Sequence, residues 1–137
     1  VTFRAIRITA AFFLLITALA GCGGGRAGYT SSQQTIDGMT ITLERPEKIT
    51  ILQDFEYFVT LADAAGKRVD GAMVYLEQDM PTMKMGSNQP LGDPLGNGQY
   101  RLKSLFTMDG AWVVVIHASV AGKNYAASFD QPVTPAT

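Results

Sequence analysis

From Thr35 onward the chain alternates apolar and polar residues with a period of two, and no segment there carries a convincing helical stripe. Met39-Thr40-Ile41-Thr42-Leu43 alternates cleanly and stops at Arg45-Pro46. Phe55, Tyr57, Val59 and Leu61 share one face of a second strand, with Glu56, Phe58, Thr60 and Ala62 on the other. Asp63 to Lys67 reads as a turn. Ala72 to Gln78 makes a third strand, with Val74 and Leu76 on one face and Met73, Tyr75 and Glu77 on the other. Gln99 to Phe106 offers another, with Tyr100 and Leu102 inward. Ala111 to Val120 is the most apolar run, and Tyr125 to Phe129 alternates again after the turn Ala121-Gly122-Lys123-Asn124. Short strands separated by turns about every ten residues predict an all-β fold, an antiparallel β-sandwich of about seven strands.

In the apolar run, Trp112, Val114 and Ile116 face one way and Val113, Val115 and His117 the other. A strand apolar on both faces is central to its sheet. Trp112 becomes the core centrepiece, worth about 3 kcal/mol or more on truncation. Asp93-Pro94-Leu95-Gly96-Asn97-Gly98 has turn residues and some oxygen donors but lacks the EF-hand pattern, so it reads as a loop and not a calcium site. The Pro-rich stretch Gln131 to Thr137 reads as a frayed tail.

The amino terminus obeys a different pattern. Arg4 and Arg7 precede an apolar run, Ile8 to Ala20, that ends in Leu19-Ala20-Gly21-Cys22. Basic, then apolar, then small is the order of an exported precursor. A helix over Ile8 to Ala20 spans roughly 20 Å, short of the ~30 Å hydrocarbon core, which suits a cleaved leader better than a permanent span. The last four residues resemble the lipobox of bacterial lipoproteins. That resemblance implies cleavage after Gly21 and a lipidated Cys22 at the new terminus, with two or three acyl chains at ~0.8 kcal/mol per CH₂ for stable anchoring. The alternatives are a plain secretory leader with an incidental cysteine, and a cytosolic chain with a buried amino-terminal helix. Gly23-Gly24-Gly25 argues against the second, because it would end such a helix in water. Gly23 stands where retained lipoproteins of the inner membrane carry aspartate, which favours the outer membrane if the host has two.

These signals divide the chain into a signal peptide over 1–21, a flexible tether over 22–34, a sandwich domain over 35–133 and a tail over 134–137. The tether CGGGRAGYTSSQQ is Gly, Ser and Gln rich, with an r.m.s. reach of roughly 20 Å. Arg4 and Arg7 leave with the leader, which moves a balance of 11 basic and 12 acidic side chains further to the acidic side. No basic patch fit for nucleic acid is present. Cys22 is the one cysteine, so no disulfide forms within a chain. His117 is the one histidine, which removes HExxH zinc chemistry and leaves no evident Ser-His-Asp set. The expectation is a non-enzymatic protein.

Asp79 to Gly86 reads DMPTMKMG, placing Met80, Met83 and Met85 within six positions, and Met108 follows in Met108-Asp109-Gly110-Ala111-Trp112. A thioether is a soft, neutral donor that selects Cu(I). Met83 and Met85, two apart in an extended segment, point to one side. With Met80 they could close a three-sulfur Cu(I) site, with Met108 or His117 as candidate additional ligands. The competing reading is packing: methionine is a flexible gap-filler, and a loop crossing the end of a sandwich needs apolar plugs. His117 likewise reads first as a locally bonded strand histidine.

Met80-Pro81-Thr82-Met83, then Gly98-Gln99-Tyr100, then Met108-Asp109-Gly110-Ala111-Trp112 resembles, in order and spacing, the YtkA-like domain, a family related to the periplasmic part of FixH-type proteins. The likeness covers roughly Thr35 to Val133. It implies an immunoglobulin-like β-sandwich outside the cytoplasm, in a family whose members often accompany copper handling or haem–copper oxidase assembly. Met80, Pro81 and Met83 match its first motif, Gly98 and Tyr100 its second, Met108, Gly110 and Trp112 its third. Many relatives place a histidine just after the first motif; Lys84 and Met85 stand there here, which leaves an all-thioether Cu(I) site. Two functions follow as expectations. The first is a lipid-anchored envelope protein binding or relaying Cu(I) to a copper-protein partner. The second is an assembly module that docks on a membrane protein complex, with the methionines as contact surface.

Overall fold

The computed structural model describes residues 25–83, 86 and 88–136. The leader, Cys22 and Met85 lie outside the described residues. Eight strands run in chain order: β1 (Tyr29–Ile36), β2 (Met39–Pro46), β3 (Phe55–Ala62), β4 (Met73–Asp79), β5 (Asp93–Gly96), β6 (Gln99–Ser104), β7 (Gly110–Val120) and β8 (Lys123–Val133). They form two antiparallel sheets, β1-β2-β3-β6-β5 and β4-β7-β8, with no helix among the described residues. The orders β2-β3-β6-β5 and β4-β7-β8 reproduce the two sheets of an immunoglobulin constant-type sandwich, with β1 added outside β2. The expected all-β, immunoglobulin-like sandwich is thus present.

Alternation places the core where period two puts it. Ile41 and Leu43 of β2, Tyr57, Val59 and Leu61 of β3, and Tyr100 and Leu102 of β6 face Val74, Leu76, Trp112, Val114 and Ile116 of the other sheet. β7 lies between β4 and β8, as its two apolar faces require. Three hairpins turn on residue pairs that both have positive φ: Asp37-Gly38, Asn97-Gly98 and Ala121-Gly122. Such pairs match the right-handed twist of the strands they join.

Three boundaries differ from the sequence expectation. Residues 29–34, read as tether, belong to β1, paired with β2 from Tyr29↔Pro46 to Ile36↔Met39. This is a polar edge strand held by backbone pairing, so it lacks the alternation that marks a half-buried one. Its entry packs as well: Tyr29 meets Phe58 edge-on at 5.7 Å, and the Arg26 guanidinium lies 3.4 Å from the Phe58 ring centroid. Asp93–Gly96, read as loop, forms the short edge strand β5 beside β6. Finally, β8 continues to Val133 with Gln131 buried, and Thr134 N–H donates to the Ile49 carbonyl at 3.0 Å. The tail therefore does not fray at Gln131.

Candidate functional site

The methionine segments meet at one end of the sandwich. Asp79, the last residue of β4, pairs with Val113 of β7, so the turn that follows lies beside the start of β7. Along β4, alternation sends Val74, Leu76, Gln78 and then Met80 inward. Met80 is only 5% exposed, and its Cε lies 3.5 Å from where a Cβ on Gly110 would stand. The first and third motifs are thus packed on each other, with Gly110 leaving room for the Met80 methyl. Met83 N–H donates to the Met80 carbonyl at 2.9 Å across the Pro81-Thr82 turn, and Met83 is 48% exposed.

The other candidate ligands are scattered. Met108 packs partly buried against the core, and its carbonyl accepts the Trp112 Nε1–H at 3.0 Å. His117 lies four residues along β7 from Val113, about 13 Å at the strand rise. Its ring is on the outer face of the sheet, stacked on Tyr75 at 4.4 Å, with Nε2 at 2.8 Å from Glu77 Oε2. Met80 therefore packs beside Gly110 and the Met108 carbonyl caps Trp112, while Met83 is half exposed and His117 sits on the outer face of the sheet. Parity is the reason for His117: it belongs to the outward set of β7. Among the described residues, no three His, Cys, Asp or Glu side chains are placed to hold a metal ion.

Gly98 and Tyr100 work at the opposite end. Gly98 N–H donates to Asp70 Oδ1 at 2.7 Å, and its carbonyl accepts from Leu61 N–H at 2.9 Å. A Cβ there would stand 2.8 Å from the Leu61 carbonyl oxygen. Tyr100 OH donates to the Val69 carbonyl and accepts from Ala72 N–H, both at 3.0 Å. The second motif pins the crossover from β3 to β4. It builds no site.

Residues absent from the sequence reading complete the methionine rim. Gln78 is 7% exposed, and its Oε1 accepts from Ser104 Oγ at 2.9 Å. Its Nε2 has no hydrogen-bond partner among the described residues. Gln78, Leu105, Thr107 and Trp112, with Gly86 and Asn88, line a cavity of about 280 Å³. Pro81, Ala111, Asp130 and Pro132 border a second hollow of about 430 Å³ that also touches Trp112. A ladder of aromatic rings supports that indole: Tyr57 on Phe55 at 4.7 Å, Phe55 stacked on Phe106 at 5.3 Å, and Phe106 on Trp112 at 5.0 Å. Behind it, Tyr57 OH donates to Gln131 Oε1 at 2.9 Å, and burial pushes the phenol well above its ordinary value, keeping it a neutral donor. A signal for the cavity did exist in the sequence: Gln78 continues the inward series of Val74 and Leu76, and a polar side chain in that register needs a partner.

The family model described as YtkA-like matches residues 33–117, from β1 to His117 in β7, including all three motifs. No curated protein matches the chain.

Proposed function

The chain belongs to the YtkA-like family, and from that premise we propose that it is a non-enzymatic, lipid-anchored module of the bacterial cell envelope that docks on a protein partner through its methionine rim. One observation carries this reading. Met80 is kept in the core as a plug while Met83, after the Pro81-Thr82 turn, and Leu105, in the wall of a partly apolar cavity, are exposed to solvent. Exposed methionine suits adaptable apolar contacts. The anchor rests on the lipobox-like run ending at Cys22, which sets the protein on the extracytoplasmic side of a membrane, the outer one if the host has two. The partner expected is a membrane protein complex; nucleic acid is not.

Photo-crosslinking in cells tests it. A photoreactive residue at position 83 or 105 gives a discrete adduct that the same residue at the exposed position 65, in the turn after β3, does not. Adducts at all three positions, or at none, refute rim docking. Cu(I) relay to a copper-protein partner is the second reading, favoured by the exposure of Met83 two positions before Met85.

A further inference from the structure

Resting on the lipidated Cys22 of the proposed function, we infer that Leu52, in the β2–β3 loop, enters the headgroup–acyl boundary of the membrane that carries the anchor. Two independent observations meet at this loop. The first is Leu52 itself. It is 69% exposed, the most exposed of the large apolar side chains among the described residues, and its φ is +60°. Glycine or asparagine takes that left-handed backbone readily, whereas a leucine is strained there. Neither packing nor backbone ease accounts for a large apolar side chain held outward in such a conformation, and strain of this kind gathers at sites with a use. Leu52 N–H donates to the Phe106 carbonyl at 2.8 Å and Ile51 N–H to the Thr134 carbonyl at 3.1 Å, while Ile49 is buried. The loop backbone is thereby fixed with the leucine turned outward.

The second observation is where the chain enters the domain. The Gly28 carbonyl accepts the Glu47 N–H at 3.0 Å, at the start of the same loop, and the Arg26 guanidinium lies 3.4 Å from the Phe58 ring centroid. The chain is therefore fastened beside the loop from Arg26 onward. Cys22 precedes Arg26 by four residues, so covalent geometry limits their Cα atoms to about 14 Å apart at full extension. A tether running to Gln34 would let any face of the sandwich turn to the bilayer; this short link keeps the β2–β3 end against it. Arg26 and Lys48 balance Glu47 and Asp54, which leaves the apolar side chain, not a field of charge, to make the contact. One leucine adds to a lipid anchor and does not replace it. The methionine rim is at this same end, where Phe55 pairs with Ser104 and Thr50 with Thr134, so a partner reached by the rim sits at the membrane surface.

The full chain, matured in a bacterial host that processes lipoproteins, is reconstituted in vesicles of phosphatidylethanolamine and phosphatidylglycerol. It carries an environment-sensitive fluorophore on Gln53→Cys or, as the far-end control, on Ala65→Cys, two exposed positions roughly 25 Å apart along β3. The acylated Cys22 thiol does not take the label. Lipid bearing a nitroxide near the top of its acyl chain quenches the label at position 53 about threefold or more above that at 65. Leu52→Asn, polar and at ease with positive φ, brings position 53 down to the level of 65 without lowering the urea unfolding midpoint. Equal quenching at 53 and 65 in protein that floats with the vesicles overturns the inference and spares the anchor; protein that does not float ends both. Quenching at 53 that survives Leu52→Asn, or a midpoint that falls with it, overturns the role of the leucine. In cells, a photoreactive residue in place of Leu52 gives lipid adducts; a discrete protein adduct there assigns the side chain to the partner and overturns the lipid contact.

Discussion

Replacing Met80 by alanine separates a core plug from a mobile ligand. The side chain is almost fully buried, and alanine removes three heavy atoms beyond Cβ. At ~0.8 kcal/mol per methylene-sized group, transfer alone gives about 2.4 kcal/mol. Gly110 across the contact has no side chain to move into the space, so part of the cavity persists and the total reaches about 3 kcal/mol, within the range for buried Met→Ala. Met80→Leu, which nearly conserves volume, costs less than about 1.5 kcal/mol. Urea unfolding followed by Trp112 emission, with far-UV circular dichroism as a second probe, reads both. A loss of 3 kcal/mol corresponds to roughly 12 °C in Tm for a domain of this size. Alanine within about 0.5 kcal/mol of wild type, or leucine as costly as alanine, would refute the argument that Met80 acts through packing.

Two further predictions concern what holds the sheets. Gly98→Ala loses at least about 2 kcal/mol of stability by thermal denaturation, because φ is +68° and the new Cβ meets the Leu61 carbonyl oxygen at 2.8 Å. Tyr57→Phe loses about 1–2 kcal/mol by deleting the buried bond to Gln131. Its pH dependence follows from burial, which raises the folded phenol above its unfolded value of 10.0. That stability is fully present below pH 10 and is lost as pH rises toward the folded value, because the unfolded phenol releases its proton first. Urea midpoints measured from pH 9 to 12 fall more steeply in wild type than in Tyr57→Phe; parallel curves would contradict it.

The inward faces of β3, β4 and β7 were legible because those strands are half or fully buried, and burial writes itself as period two. β1 and β5 were not, since an edge strand needs only its backbone to pair: Thr30 to Gln34 can be polar throughout, and Asp93–Gly96 can be turn formers but for Leu95. Asp37-Gly38 is the hairpin signal for β1, set against the low-complexity run before it. At the rim, sequence spacing brought Met80 and Met83 together but could not tell that alternation from β4 sinks the first into the core. Parity within β7 did put His117 opposite Trp112, which already argued against a shared site. Gln78 was missed because its partner, Ser104, is on the other sheet and only tertiary packing joins them.

The rim's role as contact surface is tested most directly by its affinity for Cu(I), measured against a calibrated competing chelator for wild type, Met83→Leu and Met85→Leu. Leucine keeps most of the volume and cannot ligate. Docking without metal predicts micromolar-or-weaker retention that is the same in all three proteins. Tight binding in wild type that either substitution abolishes would contradict it and leave Cu(I) relay as the function.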